Sequence, residues 1–95
     1  MFTGIVEEIG QIAAIRKGSA SAVLSIQASK VLEGTKIGDS IAVNGICLTV
    51  TGMQERSFTA DVMAETLRRS SLGVLGKGAA VNLERAMAAD GRFGG

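Results

Sequence analysis

Short segments in which apolar and polar residues alternate, separated by turns that contain glycine, run through most of this 95-residue sequence. The clearest segment extends from Ala20 to Ser29, where Ala, Leu and Ile occupy the even positions and mostly Ser and Gln occupy the odd ones, with Val23 as the exception. A period of two is the spacing of side chains on a β-strand whose one face is buried and whose other face meets water. The pattern therefore predicts an all-β domain.

The same alternation predicts five further strands, over 11–15, 40–44, 46–51, 57–63 and 79–84. Asn44 and Gly45 stand between two of them, and this dipeptide is a strong signal for a tight hairpin. The sequence from Met1 to Gly4 is expected to begin the first strand of the sheet, and Gly4 favours either a bulge or a close approach of the backbone to a ligand. The total is six or seven strands.

Two stretches favour helix. Residues 31–33, before Gly34, suit a single turn, and Ala64 to Leu72 suits a short helix with Leu67 and Leu72 as apolar anchors and Gly73 as C-cap. So small a β-chain must protect its sheet edges, and closing the sheet into a barrel does so most economically.

Composition excludes several function classes. Ten basic against nine acidic residues give a net charge of +1, which is too even for a nucleic-acid partner. With no histidine and one cysteine, the chain offers no internal disulfide, no Cys/His metal site and no imidazole base.

An acidic start without a signal peptide, and the absence of an apolar run of about 18 residues, predict a cytoplasmic protein without a membrane partner. Residues 90–95 have linker composition, which predicts a domain over 1–89.

Cys47 lies on a predicted strand where it shares a face with Thr49 and Thr51. This face suits the polar wall of a ligand groove. Alternatively, Cys47 is a small buried thiol and the threonines are present for their β-propensity. A nucleophilic thiol is disfavoured, since no histidine is available to activate it.

Three polar residues follow at the junction of a strand and the predicted helix: Asp61, Glu65 and Thr66. They suit hydrogen bonds to a polar ligand. Alternatively, Asp61 helps to cap the helix and Glu65 is a solvated acid that complements the helix dipole.

Four motifs, in this order, resemble riboflavin synthase over nearly the whole chain. They are the opening M-F-T-G-I-V at 1–6, N-G-I-C-L-T-V at 44–50, M-A-E-T-L-R at 63–68 followed by L-G at 72–73, and V-N-L-E-R-A at 81–86. Each motif alone is a weak signal, but their order and coverage make the resemblance specific.

The resemblance implies a six-stranded Greek-key closed barrel with one short α-helix. It also implies the N-terminal half of an enzyme that dismutates two molecules of 6,7-dimethyl-8-ribityllumazine into riboflavin and 5-amino-6-ribitylamino-pyrimidinedione by moving a four-carbon unit, without metal or other cofactor. The family enzyme carries two barrels per subunit and is a homotrimer whose active site lies between barrels of neighbouring subunits. For this chain alone we expect ligand binding, little activity and a homodimer. The alternative is a non-catalytic flavin- or lumazine-binding barrel.

The family's ligand contacts carry over to three segments of this sequence. As implied by the resemblance, the ligand-binding residues are Phe2, Thr3, Gly4, Ile5, Val6, Cys47, Leu48, Thr49, Asp61, Val62, Met63, Ala64, Glu65 and Thr66. Cys47 and Thr49 are the candidates for a catalytic role, with Cys47 as a polar residue beside the ligand rather than an essential covalent nucleophile.

Overall fold

The computed structural model describes residues 2–86, and within this range six β-strands close into one antiparallel barrel. The elements are β1 (Glu8–Lys17), β2 (Ser21–Gln27), β3 (Ser40–Val43), β4 (Ile46–Gln54), β5 (Ser57–Met63), α1 (Ala64–Arg69) and β6 (Ala80–Arg85), with 3-10 helices at Lys30–Leu32 and Ser71–Val74. Around the barrel the order is β1-β2-β5-β4-β3-β6, and β6 pairs with β1 to close it. The expected six-stranded Greek-key barrel with one short α-helix is confirmed. Met1 and the predicted linker at 90–95 lie outside the described residues.

The core fills the interior of the barrel. β5 shows the arrangement most clearly, because Phe58, Ala60 and Val62 point inward and are buried while Asp61 and Met63 point outward and are exposed. The other strands contribute the remaining large, fully buried side chains, among them Ile12, Leu24, Ile26, Ile41, Val50, Val81 and Leu83. The interior is therefore a packed core with side chains in it, and a ligand must bind on the outside.

β1 is longer than the alternation predicts at both ends, because it begins at Glu8 rather than at Gln11 and ends at Lys17 rather than at Ile15. At the beginning of β1 the usual relation between residue type and burial is reversed: the apolar Ile9 is exposed and Gly10 is buried. A Cβ atom at position 10 would come within 2.5 Å of the carbonyl oxygen of Gln27, so this inward position has no room for an apolar side chain. β1 therefore includes residues in which apolar and polar side chains do not alternate as the prediction requires.

The predicted hairpin between β3 and β4 is confirmed. Asn44 and Gly45 have φ angles of 50° and 83°, the left-handed pair that a type I′ turn requires. The backbone N–H of Asn44 donates to the carbonyl of Asn82 at 2.8 Å, and the N–H of Asn82 donates to Oδ1 of Asn44 at 2.8 Å. The tip of the hairpin is thus fastened to β6.

The expectation that the sequence from Met1 to Gly4 begins the first strand is wrong for the residues described. Residues 2–7 precede β1 and form no strand. Instead of continuing a ladder, the segment crosses the outside of the barrel, where side chains of β6 hold it. We call residues 2–6 the opening segment.

The helix prediction is right in place and wrong at its end. Leu67 and Leu72 are buried anchors as expected, but α1 ends at Arg69, and a 3-10 helix follows. Ser70 adopts an extended conformation, and its hydroxyl accepts a hydrogen bond from the N–H of Leu72 at 3.3 Å, which caps the second helix. Gly73 is therefore not the C-cap of α1. Glycine is needed there because a Cβ atom would collide with the carbonyl oxygen of Leu67.

Candidate functional site

Strand register brings the predicted site residues onto one outer surface of the barrel. Thr49 of β4 lies opposite Asp61 of β5, and Cys47 of β4 lies opposite Ala42 of β3. Ala42 in turn lies opposite Glu84 of β6. Because neighbouring strands are about 4.8 Å apart, these residues form a continuous surface. We call this surface, together with the opening segment and the first turn of α1, the candidate face.

The opening segment lies at one end of the candidate face and is held there by Glu84. Oε2 of Glu84 accepts hydrogen bonds from the N–H of Thr3 at 2.5 Å and from its hydroxyl at 2.8 Å, and Oε1 accepts from the N–H of Gly4 at 3.1 Å. The hydroxyl of Thr3 also accepts from the N–H of Ile5 at 3.1 Å. Gly4 has a φ of 84°, a conformation that glycine adopts without strain.

A cavity of about 190 Å³ lies between the opening segment and the β3–β4 hairpin. It is lined by Gly4, Val6, Ala42, Asn44, Gly45, Asn82, Leu83 and Glu84. Pockets for small ligands usually measure about 300–1,000 Å³, so this cavity has room for part of a bicyclic molecule only. The remainder of such a ligand would rest on the open part of the candidate face.

A larger cavity, of about 530 Å³, lies elsewhere, beside β1 and β2. Its lining includes Gln11, Gln27 and Arg56 but none of the residues predicted for the site. Size alone would therefore direct attention away from the predicted site residues.

The structure decides between the alternatives left open for Cys47 and Asp61. Cys47 is exposed, so the interpretation as a buried thiol is wrong. Asp61 does not cap α1, because the helix begins after Met63 with no hydrogen bond from a capping side chain. Glu65 is an exposed acid of the first turn that pairs with Arg69 at 3.1 Å, which confirms its interpretation as a solvated residue.

Two predicted site residues have side chains that do not reach the candidate face. Leu48 and Val62 point into the core, so only their backbone groups remain for a ligand. Backbone donors in the predicted segments are also occupied. Those of Thr3 and Gly4 donate to Glu84, that of Ala64 donates to the carbonyl of Ala20 at 3.0 Å, and that of Ile5 donates to the hydroxyl of Thr3. The exposed apolar groups of the candidate face are Ile5, Val6 and Met63.

Comparison with known proteins assigns this barrel to a family. The family model described as "Lumazine binding domain" matches residues 3–86. The chain belongs to the lumazine-binding domain family. Riboflavin synthase of Actinobacillus pleuropneumoniae is 62% identical over 95 residues, which are the whole of this chain and 44% of that protein. The chain thus spans about half the length of the curated relatives it matches.

Solved structures with this lumazine-binding fold extend the comparison. A crystal structure of LumP complexed with 6,7-dimethyl-8-(1'-D-ribityl) lumazine is 30% identical, with a TM-score of 0.82 over 94% of this chain and 49% of LumP. A crystal structure of LumP complexed with riboflavin is 31% identical, with a TM-score of 0.81 over 90% of this chain and 46% of LumP. At these identities the likeness extends beyond backbone architecture to sequence.

Beside the candidate face of this lumazine-binding domain, an ion pair joins the chain after the opening segment to β6. Nε and Nη2 of Arg85 donate to the two carboxylate oxygens of Glu7 at 3.0 and 2.9 Å, and the backbone N–H of Arg85 donates to Glu7 at 2.8 Å. The side-chain hydrogen bond from Arg85 lowers the pKa of Glu7 and, reciprocally, the bond to Glu7 raises the pKa of Arg85. Arg85 also donates to the carbonyl of Glu33 at 2.8 Å.

Sequence reasoning missed the contacts that Glu84, Glu7 and Arg85 make near the candidate face. Glu84 and Arg85 belong to the motif at 81–86, but an acid and a base near the end of a strand resemble ordinary solvated residues. Their partners lie about eighty positions away, so no local spacing reveals them. The sequence offers one signal for Glu84: it follows Leu83, which points into the core, so the alternation places the acid on the outer side of the barrel.

Two further findings concern the described part of this domain only. Between residues 2 and 86, no cluster of three or more acidic or sulfur ligands has the geometry to hold a metal ion. Of the helices in that range, none combines the length and the hydropathy needed to span a bilayer.

Proposed function

We propose that this chain is the N-terminal barrel of a riboflavin synthase and that it binds 6,7-dimethyl-8-ribityllumazine on the candidate face. The observation that carries this proposal is the 62% identity to a riboflavin synthase over all 95 residues. The placement of the matching motifs on one outer surface supports it. The cytoplasmic location remains a prediction from the sequence.

The proposed reaction joins two identical molecules. One lumazine gives a four-carbon unit to the other, and the products are riboflavin and 5-amino-6-ribitylamino-pyrimidinedione. The two substrates contain all the atoms and electrons of the two products, so the proposal needs no oxidant, reductant or cofactor. The main task of the protein is then to hold two flat heterocycles in a fixed relative orientation, which is a large source of rate enhancement.

The groups on the candidate face suit a ribitylated heterocycle. Ile5 and Met63 offer exposed apolar surface for the faces of the ring. Thr49, Asp61 and Thr66 offer hydroxyl and carboxylate groups for the ring edge and the ribityl chain. The buried side chains of Leu48 and Val62 and the occupied N–H groups of Ile5 and Ala64 cannot bond the ligand. These four residues contribute to the site through their carbonyl groups or by shape alone.

Cys47 and Thr49 are proposed as polar residues next to the reacting ring. The neighbour of Cys47 on β3 is Ala42, which offers no base or cation to generate a thiolate. Replacing Cys47 by Ser should therefore leave riboflavin formation by the full-length protein within about threefold of the original rate, because a covalent role would cost far more.

The reaction needs two lumazine molecules, whereas this chain carries one copy of the candidate face. The second molecule must therefore bind to another barrel. We propose that the full-length protein is a homotrimer in which neighbouring barrels meet, and that this chain alone forms a homodimer through its exposed apolar residues. Sedimentation at increasing protein concentration tests the dimer, and a monomer at the highest concentration contradicts it.

A non-catalytic binding barrel is the second candidate, favoured by the similarity to LumP, whose structures hold lumazine and riboflavin. The two functions differ in turnover. The full-length protein, incubated with 6,7-dimethyl-8-ribityllumazine, should form riboflavin and the pyrimidinedione in equal amounts. Saturable binding without any riboflavin formation would favour the carrier.

Ligand binding by this chain is tested by titrating lumazine and riboflavin and following their fluorescence. Ile5→Ala, on the candidate face, should weaken binding by about tenfold, since it removes apolar contact with the ring. Ile37→Ala is the matched control, because the two side chains are 69% and 67% exposed and Ile37 lies before β3, outside the three predicted segments. Equal effects of the two variants would contradict the proposed location.

A further inference from the structure

Glu84 has an environment unlike that of an ordinary surface acid. Its residue is 8% exposed although it lies on the outer side of the barrel, opposite to the inward-pointing Leu83 on the same strand. What covers it is the opening segment, whose Thr3 and Gly4 supply three donors to the carboxylate. A buried carboxylate is tolerated only when it is well hydrogen-bonded, and here these donors meet that need.

The opening segment depends on this carboxylate. Among the described residues, the first backbone hydrogen bond that ties the chain start to the sheet is the one from the N–H of Glu7 to the carbonyl of Leu83 at 2.8 Å. Residues 2–6 precede that bond and contribute no residue to the strand ladders. Their path over the barrel is therefore set mainly by contacts with Glu84.

The contact also reaches the residue that follows. Thr3 donates its hydroxyl proton to Glu84 while the same oxygen accepts from the N–H of Ile5. One carboxylate thus fixes two peptide groups directly and a third through a hydroxyl. This arrangement sets the direction in which the exposed side chains of Ile5 and Val6 point.

We propose that Glu84 is a positioning residue for the lumazine site, holding the opening segment so that Ile5 and Val6 contact the ligand. This inference rests on the proposed function. Glu84 does not fill the core, because its side chain points away from the barrel interior. Its contribution is to the shape of the site, and little of the fold depends on it.

The chain contains a matched control. Glu8 on β1 also accepts three hydrogen bonds, from the N–H of Ser29 at 2.8 Å, its hydroxyl at 3.2 Å and the N–H of Val31 at 3.0 Å. These bonds fasten the first 3-10 helix, which lies outside the candidate face. Glu84→Gln and Glu8→Gln therefore remove the same charge from the same kind of donor set at two different places.

The experiment compares both variants in this chain by three measurements: urea unfolding, amide hydrogen exchange at residues 3–6 followed by NMR, and fluorescence titration with 6,7-dimethyl-8-ribityllumazine and with riboflavin. Glu84→Gln should speed amide exchange in the opening segment. It should also lower the affinity for both ligands by about tenfold, a typical loss for a hydrogen-bonded charge. Glu8→Gln should change neither, although the two variants should unfold at similar urea concentrations.

Thr3→Val provides a second route that leaves Glu84 in place. It should weaken binding by about threefold, and its effect should not add to that of Glu84→Gln, because both act through one network. The inference is overturned if Glu84→Gln binds as tightly as the original chain, or if Glu8→Gln weakens binding equally. If the original chain binds neither ligand, the proposed function fails, while the exchange data still report whether Glu84 holds the segment.

Discussion

The interior of the barrel and the candidate face are built on opposite principles. The interior consists of apolar side chains from all six strands, and these strands pair with one another around a closed barrel. The candidate face combines exposed apolar and polar groups, and at one end it includes a segment held by a single carboxylate. Stability and binding therefore reside largely in different residues, and substitutions should be able to change one without the other.

The largest effect on stability is expected in the interior, at Phe58. This side chain is the largest of those fully buried. Phe58→Ala should lower the free energy of unfolding by about 3–5 kcal/mol, from lost burial and the cavity left behind. Urea unfolding measures it, and the fraction that stays folded should bind lumazine normally. A loss below about 1 kcal/mol would mean that the core rearranges easily.

A smaller effect is expected where the second 3-10 helix packs against the end of α1. Gly73→Ala would push a methyl group into the carbonyl oxygen of Leu67, so the two helices must separate slightly. The expected destabilisation is about 2 kcal/mol, within the range for overpacked sites. Gly34→Ala is a useful comparison, because it introduces strain from a φ of 74° without any such collision.

The ion pair between Glu7 and Arg85, beside the candidate face, should stabilise the fold to an extent that depends on pH. The pKa of Glu7 is lowered from the usual 4.5 by its bond to Arg85, so its stabilisation is present above that value and is lost as the pH falls through the folded-state pKa. Glu7→Gln should cost roughly 1 kcal/mol at neutral pH. In acid the difference from the original chain should shrink. A constant difference from neutral pH to below the folded-state pKa would contradict this account.

Glu8 should add to the same trend. Burial would raise its pKa, but hydrogen bonds from Val31 and Ser29 outweigh that influence and lower it. Its stabilisation is therefore also lost in acid. Unfolding curves of Glu8→Gln at several pH values provide the check.

The smallest effect is expected at an ion pair on the solvent side of α1. Glu65 and Arg69 have side chains that are 61% and 80% exposed. Arg69→Ala should change the free energy of unfolding by less than about 0.5 kcal/mol, because exposed pairs of this kind contribute little. A larger loss in urea unfolding would show that the helix is coupled to the barrel more strongly than its packing indicates.

The sequence predicted the parts of the fold that follow from local periodicity. The strand from Ser57 to Met63 was predicted with its observed bounds, because inward apolar and outward polar residues alternate from Ser57 to Val62. β1 was predicted too short, since Gly10 occupies an inward position and Ile9 an outward one. There the close approach of Gln27 decides the residue type, and periodicity carries no information about it.

The site was predictable in its segments but not in its supports. The family resemblance groups Cys47, Thr49 and Asp61, and strand register places them on one surface. The role of Glu84 depends on a contact with Thr3, 81 positions away, which only the closed barrel creates. Met1 to Gly4 is expected from the sequence to begin a strand, whereas residues 2–6 form none and Ile5 is exposed.

The last strand of the barrel along the chain, β6, fills the gap between β1 and β3. A nascent chain therefore cannot close its barrel on the ribosome until residue 85 has left the exit tunnel. Before that moment β1 and β3 each present an unpaired edge, and such edges invite association with other chains. Synthesis that stalls shortly before β6 should thus yield aggregation-prone polypeptide, even though five of the six strands have already been made.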